Sequence, residues 1–236
     1  MRAMRPLQER SRRERIIRRT SNLLLVLGGI LLAYPLWSSA YTQVQQQRLD
    51  RAFKTQSIDF ARTLRAQKPT GRKPPPPAAE LKRAAELFAP TLKLGDPVGR
   101  LVIPRIGVDL IVAQGMAGKG ALETWSDHDL LRSSPTHYGT TPLPGLGQPF
   151  AIAGHRTTYG APFFKLDKLR PGDEIKVETA YADFVYAVSK TTIVDPSDDS
   201  VLQDRGYDLV LTTCTPLYSS KQRLIVWGMM KSFVVK

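Results

Sequence analysis

The feature that most constrains this chain is an uncharged run of nineteen residues, Leu23 to Tyr41, that lies directly behind a basic N-terminal tail. As an α-helix this run spans about 28 Å, close to the hydrocarbon thickness of a bilayer. Residues 1–20 carry eight arginines and two glutamates. Because basic flanks stay in the cytoplasm, the sequence predicts a single-pass protein of the cell membrane. Its N-terminus is then cytoplasmic and the chain beyond residue 41 extracellular.

Two other interpretations of the same residues remain open. One is a cleavable signal peptide with a small-x-small cleavage site at Ser38 to Ala40, and the other is a twin-arginine signal that begins at Ser11. All three interpretations export the rest of the chain. An uncleaved signal anchor over residues 21–41 is favoured, because the apolar run is longer than the roughly 7 to 15 residues of a signal-peptide core.

The excess of positive charge is concentrated in the tail over residues 1–20. Eight arginines against two glutamates give +6 of the formal net charge of +13. A basic segment beside a membrane helix is attracted to anionic lipid headgroups. We therefore expect membrane lipid as the partner of this tail, and the net charge does not indicate a nucleic-acid partner.

The composition changes twice beyond the apolar run. Residues 42–94 are expected to form a solvated, partly helical stalk and a proline-rich linker, with a short helix at Ala78 to Phe88, because apolar residues are sparse and prolines 74–77 cannot continue a helix. Residues 95–236 are expected to form a folded domain, in which short β-branched runs alternate with Gly and Pro turns. The predicted strands are Arg100–Ile106, Val108–Val112, Phe150–Ala153, Glu174–Val177, Phe184–Thr192, Tyr207–Thr213 and Arg223–Trp227.

Short strands of this kind are typical of a small β-barrel or sandwich, and an all-β barrel with short peripheral helices is favoured. Short helical or irregular pieces are expected at 122–131 and 162–169. The chain contains one cysteine and three histidines, without zinc-ligand spacing. We therefore expect neither a metal site nor a cofactor.

Three residues with reactive or charged side chains lie at the ends of predicted strands. Cys214 follows one strand, His155 follows another, and Arg223 begins the last. A thiolate is a nucleophile that a nearby cation or base activates, and an arginine stabilises an oxyanion, so the three residues form a complete set for acyl transfer. Each residue alone has an ordinary interpretation, as a buried thiol, a turn histidine or a solvated strand arginine.

The residues around Cys214 form a recognisable motif. The stretch Val210 to Val226 reads VLTTCTPLYSSKQRLIV, and it resembles the sortase signature of Thr-Leu-x-Thr-Cys followed by an arginine at the start of the next strand. More narrowly, Cys-x-Pro-x-Tyr-Ser with Gln-Arg resembles the class E sortases of actinobacteria. The segment Ala151 to Thr157, AIAGHRT, is similar to the histidine motif of that family. The resemblance extends from about Gly95 to the C-terminus and implies that residues 95–236 are a sortase-type catalytic domain.

This resemblance implies a closed eight-stranded β-barrel and a cysteine transpeptidase. Carried over by position, Cys214 is the nucleophile, His155 the general acid and base, and Arg223 the oxyanion or substrate clamp. The implied reaction cleaves a Leu-Ala-x-Thr-Gly or Leu-Pro-x-Thr-Gly sorting signal of a secreted protein between Thr and Gly. It proceeds through a thioester and ends on an amine of a peptidoglycan precursor. We expect Thr213 and Tyr138 to line the signal pocket.

The chain departs from the family pattern at two positions. Val210 stands where the strand motif begins with Thr, and Pro149 stands where Asn is frequent. Neither departure involves Cys214, His155 or Arg223.

Other classes of protein fit the sequence less well. An L,D-transpeptidase is disfavoured because Ser-His-Gly-Cys is missing around Cys214, and a redox protein would need a second cysteine. The alternative that remains is a non-catalytic, membrane-tethered β-barrel domain that binds envelope partners.

Overall fold

A computed structural model describes residues 7–67, 76–116 and 128–236. Contacts divide the chain into two units, Met1–Ala40 and Tyr41–Lys236. The first helix, α1, runs over Leu7–Ala66. Between residues 16 and 37 its large apolar side chains are exposed, among them Leu32, which is 79% exposed. α1 is long and apolar enough to cross a membrane, in agreement with the single span predicted from the sequence.

Eight strands, counted over the described residues, close into a barrel in the second unit. They are β1 (Pro97–Ile103), β2 (Val108–Gln114), β3 (Thr136–His137), β4 (Phe150–Ala153), β5 (Glu174–Thr179), β6 (Ala182–Val194), β7 (Leu209–Thr215) and β8 (Gln222–Val235). Their order around the barrel is β1-β2-β3-β4-β7-β8-β6-β5, and β5 pairs with β1. The pairs β2–β3 and β4–β7 are parallel, and the other pairs are antiparallel. This architecture confirms the closed eight-stranded barrel.

Seven of these strands lie where the sequence predicts a strand, and β3 was missed. β3 has two residues, too few to show an alternating pattern of apolar side chains. β8 continues to Val235, well beyond the predicted end at Trp227, because it pairs with the long strand β6 over its whole length. Short strands are thus recognised from composition, whereas their ends depend on the partner strand.

The strands β4 and β7 and the first part of β8, residues 223–228, are buried on both faces. Alternate residues point into the barrel and form its core, since successive side chains of a strand face opposite ways. The inward residues of these strands are Phe150, Ile152, Leu209, Leu211, Leu224 and Val226. The residues between them form a second, smaller cluster on the outer face with Val201: Ala151, Val210, Ile225 and Trp227.

A second helix, α2, covers Pro77–Phe88 and packs on the barrel core. It begins at Pro77, a position where a helix tolerates proline. Its apolar face is buried, and the ring of Phe88 lies 5.4 Å from the ring of Tyr181. The helix predicted at Ala78 to Phe88 is therefore confirmed.

The part of α1 that belongs to the second unit also packs on the barrel, which differs from the solvated stalk expected for residues 42–94. Phe53 and Phe60 are buried, and the Phe60 ring lies 5.0 Å from that of Phe88. The side chain of Gln46 accepts a hydrogen bond from the Ile111 amide at 2.8 Å and donates to its carbonyl at 3.1 Å. The few apolar residues recur at helical spacing and form a narrow buried stripe that composition alone does not reveal.

Several expected segments lie partly or wholly outside the described residues. Of the proline-rich spacer, residues 68–75 are not described, and of the expected piece at 122–131, residues 122–127 are not described. The third helix, α3, covers His128–Ser133. A 3-10 helix at Leu166–Lys168 lies within the piece expected at 162–169. The division of the chain at residues 20, 41 and 94 stays a prediction.

Candidate active site

Cys214 and Arg223 face each other across the last two strands of the sequence. Cys214 is the next-to-last residue of β7, Arg223 is the second residue of β8, and the two are direct partners in the antiparallel register. Directly opposed residues present their side chains on the same face of a sheet. Cys214 is partly exposed, and Arg223 is 7% exposed, with its Nη1 donating to the Ser220 carbonyl at 2.8 Å. The structure thus brings the thiol and a permanent cation together.

His155 approaches the same rim from β4, which lies parallel to β7. Past the end of β4, the Gly154 amide donates to the Thr212 carbonyl at 3.1 Å. The Thr213 hydroxyl donates to the Gly154 carbonyl at 2.7 Å. The next residues on the two adjacent segments are His155 and Cys214. Strand pairing therefore delivers the imidazole-bearing residue and the thiol-bearing residue to the same end of the barrel.

The loop that carries His155 is shaped by Gly154 and Phe163. A Cβ atom on Gly154 would lie 2.6 Å from the fully buried Phe163 ring, so the loop requires glycine at this position. The Phe163 amide donates to the His155 carbonyl at 3.0 Å. The partly exposed His155 ring packs on the Tyr159 ring, with 5.3 Å between the centroids. Backbone and ring contacts together orient the imidazole.

Tyr138 and Thr213, both expected to line the signal pocket, have different surroundings. Tyr138 is partly exposed, and its phenol oxygen lies 2.7 Å from Thr212 Oγ1. Burial of the phenol raises the pKa of Tyr138 above its ordinary value, although Thr212 and the charge of Arg223 oppose the change. The phenol therefore keeps its proton. Thr213 is fully buried, and a substrate-binding role for it stays a prediction that this geometry does not support.

Sequence reasoning assigned no role to several residues that shape this site. Arg156, Tyr159 and Phe163 all lie in or next to the histidine motif, and Asp167 follows it. Arg156 is almost completely buried and donates to the Thr215 hydroxyl. The sequence offered one signal for Arg156, namely a charged residue directly after the candidate base. Its importance follows from its burial, which the sequence does not show.

The groups that meet at this rim suit acyl transfer. A thiol, an imidazole-bearing residue and a guanidinium meet at one rim, and these groups can attack a carbonyl, move a proton and stabilise an oxyanion. No cluster of three or more His, Cys, Asp or Glu that could hold a metal ion is present in the described ranges.

Comparisons with known proteins agree with this arrangement. The sortase domain family model matches residues 101–231. Sortase SrtE1 of Streptomyces coelicolor is 36% identical over 164 residues, which cover 63% of this chain and 43% of that protein. Sortase D of Bacillus subtilis is 28% identical over 185 residues, covering 76% of this chain and 86% of that protein. The chain thus spans less than half the length of the Streptomyces relative.

A solved structure shows the same fold. A Clostridium perfringens sortase D5 transpeptidase superposes with a TM-score of 0.53 at 28% sequence identity. The match covers 77% of this chain and 99% of that one. It includes more of the chain than the family model does.

Proposed function

The chain belongs to the sortase family of cysteine transpeptidases, and we propose that it is a membrane-anchored sortase similar to class E. In this proposal it cleaves a Leu-Ala-x-Thr-Gly or Leu-Pro-x-Thr-Gly signal between Thr and Gly. It then joins the secreted protein to a peptidoglycan precursor. The observation that carries the proposal is the direct pairing of Cys214 with Arg223, beside the parallel segment that leads to His155.

In the first step, the thiolate sulfur of Cys214 attacks the carbonyl carbon of the signal threonine. A C–S bond forms, and the negative charge moves to the carbonyl oxygen, where the guanidinium of Arg223 stabilises it. The tetrahedral intermediate then breaks the Thr–Gly C–N bond. His155, which holds the proton removed from the thiol, donates it to the departing amine. The products are a thioester on Cys214 and a fragment that begins with glycine.

In the second step, an amine of the peptidoglycan precursor attacks the thioester. His155 accepts a proton from this amine, an amide bond forms, and the Cys214 sulfur leaves as the thiolate. The reaction requires no cofactor. The Tyr138 phenol lies 2.7 Å from Thr212 Oγ1, on the strand that carries Cys214, and this position supports its place in the pocket.

The apolar part of α1 suits a membrane anchor, and its length and hydropathy support this role. We propose that the arginine-rich tail lies in the cytoplasm against anionic lipid and that the barrel is extracellular. Tethering restricts the enzyme to the membrane surface. If the substrate and the acceptor are held at the same membrane, tethering of the enzyme raises the effective concentration of each at the active site.

The test is to mix the full-length chain in detergent with a Leu-Ala-x-Thr-Gly peptide and to follow Cys214 by mass spectrometry. We expect a thioester adduct with release of the glycine fragment, and Cys214→Ala is the control that should show neither. A parallel reaction uses the Leu-Pro-x-Thr-Gly peptide. If neither peptide forms an adduct while iodoacetamide still alkylates Cys214, the non-catalytic alternative is favoured.

A further inference from the structure

The arginine next to the proposed base is a buried charge. Arg156 directly follows His155 and is 6% exposed. Its Nη1 donates to the Thr215 hydroxyl at 2.8 Å and to the Cys214 carbonyl at 3.3 Å, and its Nη2 lies 3.2 Å from Asp167 Oδ1. A buried charge is tolerated when it is paired and hydrogen-bonded. These contacts therefore hold the guanidinium in one position.

The contacts of Arg156 join three segments at the point where the strand ladder stops. The pairing of β4 with β7 ends at Ala153 and Thr212. Beyond it, the loop after β4 carries Arg156, the end of β7 carries Cys214, and the 3-10 helix Leu166–Lys168 carries Asp167. The bonds of Gly154 to Thr212 and Thr213 connect the two segments just past the ladder, and the Arg156 side chain extends this connection to Cys214 and Asp167.

The shape of the guanidinium is what makes this connection possible. Its two terminal nitrogens point in different directions in one rigid plane, so one bonds the end of β7 while the other meets Asp167. A lysine carries a single nitrogen at the end of a flexible stem. It would keep the charge but would not hold both sides in one fixed geometry.

A connection of this kind matters because acyl transfer depends on the separation of the nucleophile from its base. A misplacement of about 1 Å costs on the order of 10²-fold in rate. Arg156 bonds the backbone of Cys214 itself and is covalently next to His155. Movement of either residue relative to the other would break a buried contact of the guanidinium.

We propose that Arg156 is a positioning residue, which holds Cys214 and His155 in register by bonding the Cys214 carbonyl on one side and Asp167 on the other. The inference rests on the proposed function, because it takes Cys214 as the nucleophile and His155 as its base.

The test compares full-length variants in detergent: Arg156→Lys, Arg156→Gln, Asp167→Asn and the control Arg100→Gln. We expect Arg156→Lys and Arg156→Gln to lower kcat for the signal peptide by about 10²-fold, with KM within about twofold of the wild type. Asp167→Asn should lower kcat by about three- to tenfold, since the bond to Cys214 remains. Arg100 is ion-paired with Asp50 and Asp109, so its variant should lower Tm and leave kcat unchanged.

A wild-type kcat in both Arg156→Lys and Asp167→Asn, with Tm retained, would overturn the inference even if Arg156→Gln does not fold. A rise in KM at unchanged kcat would also overturn it. If the wild type itself turns over neither signal peptide, the proposed function fails instead. Iodoacetamide alkylation of Cys214 then decides, because it needs no signal: about tenfold slower alkylation in Arg156→Lys supports the positioning role, and equal rates contradict it.

Discussion

The inner and outer faces of β4, β7 and β8 differ in what their side chains do. On the inner face, Leu211 and Val226 are fully buried in the barrel core. On the outer face, the same strands lead to Cys214 and Arg223 at the rim. Because successive residues of a strand alternate between faces, one register sets both the core and the site. Stability and the proposed chemistry therefore share a backbone but use different side chains.

Two histidines illustrate the same contrast. His137 lies on the inner side of β3, opposite Ile152, and is 2% exposed. Its ring nitrogens lie 3.0 Å from Gln114 Oε1 and 3.1 Å from Thr141 Oγ1. Burial lowers the pKa of His137 to about 4, so the ring is neutral. His155 is partly exposed at a strand end, where an imidazole is accessible to a substrate. One histidine supports the core, and the other is accessible at the rim, as its proposed role in proton transfer requires.

The largest effect is expected for Cys214→Ala on the outer face. Removal of the nucleophile should lower turnover of the signal peptide by about 10⁴-fold or more, because no thioester forms. The thermal midpoint should stay near that of the wild type, since Cys214 is not part of the core. Peptide cleavage and circular dichroism melting measure the two quantities. Retained cleavage would mean that the chemistry lies elsewhere.

A smaller loss is expected for Arg223→Lys, which keeps the charge but loses the planar fork. We expect kcat to fall by about 10² to 10³-fold, the usual cost of an oxyanion donor. Steady-state kinetics on the folded variant give kcat and KM separately. If KM alone changes, Arg223 binds the ground state of the signal and does not stabilise the oxyanion.

On the inner face, we expect Leu211→Ala to lower stability and to leave activity nearly unchanged. The lost side chain leaves a cavity in the barrel, and the free energy of unfolding should fall by about 2–5 kcal/mol. Activity per folded molecule should remain close to the wild type. Urea unfolding and kinetics at low temperature test both parts. A large fall in kcat with little loss of stability would show that the two faces are coupled.

The buried His137 predicts a pH dependence of stability. The unfolded histidine binds a proton below about pH 6.5, whereas the folded one does so only near pH 4. Its contribution to the free energy of unfolding is therefore present above pH 6.5 and is lost as the pH falls toward 4, by up to about 3 kcal/mol. Urea unfolding at pH 7 and pH 4.5 measures this loss. The His137→Gln variant should lose less unfolding free energy between pH 7 and pH 4.5 than the wild type. If the variant loses as much as the wild type, the pH dependence comes from other groups.

The smallest effect is expected for Tyr138→Phe on the outer face. The variant removes the phenol oxygen beside Thr212 and should cost about 1 kcal/mol of stability, as for a typical hydrogen bond. If Tyr138 lines the signal pocket, KM should rise by about tenfold at nearly constant kcat. An unchanged KM would remove Tyr138 from the pocket.

Parts of the fold and of the candidate site were predictable because their signals are local. The strand Phe150–Ala153 was predicted at its observed bounds from an unbroken apolar run between turn residues. The motif around Cys214 and Arg223 predicted neighbours that do lie opposite each other. The packing of Phe53 and Phe60 was missed, because two aromatic residues in a polar segment do not by themselves indicate a buried face. Only the folded barrel provides the surface that buries them.

By itself, the sequence determined the apolar span, the run of short strands and the family motif, because these depend on each residue and its near neighbours along the chain. Only the tertiary structure decided that β4 pairs with β7, that Arg156 is buried against Cys214 and Asp167, and that His137 is neutral. The physical reason is desolvation. The energy of a charge or an imidazole depends on which distant segments exclude water from it.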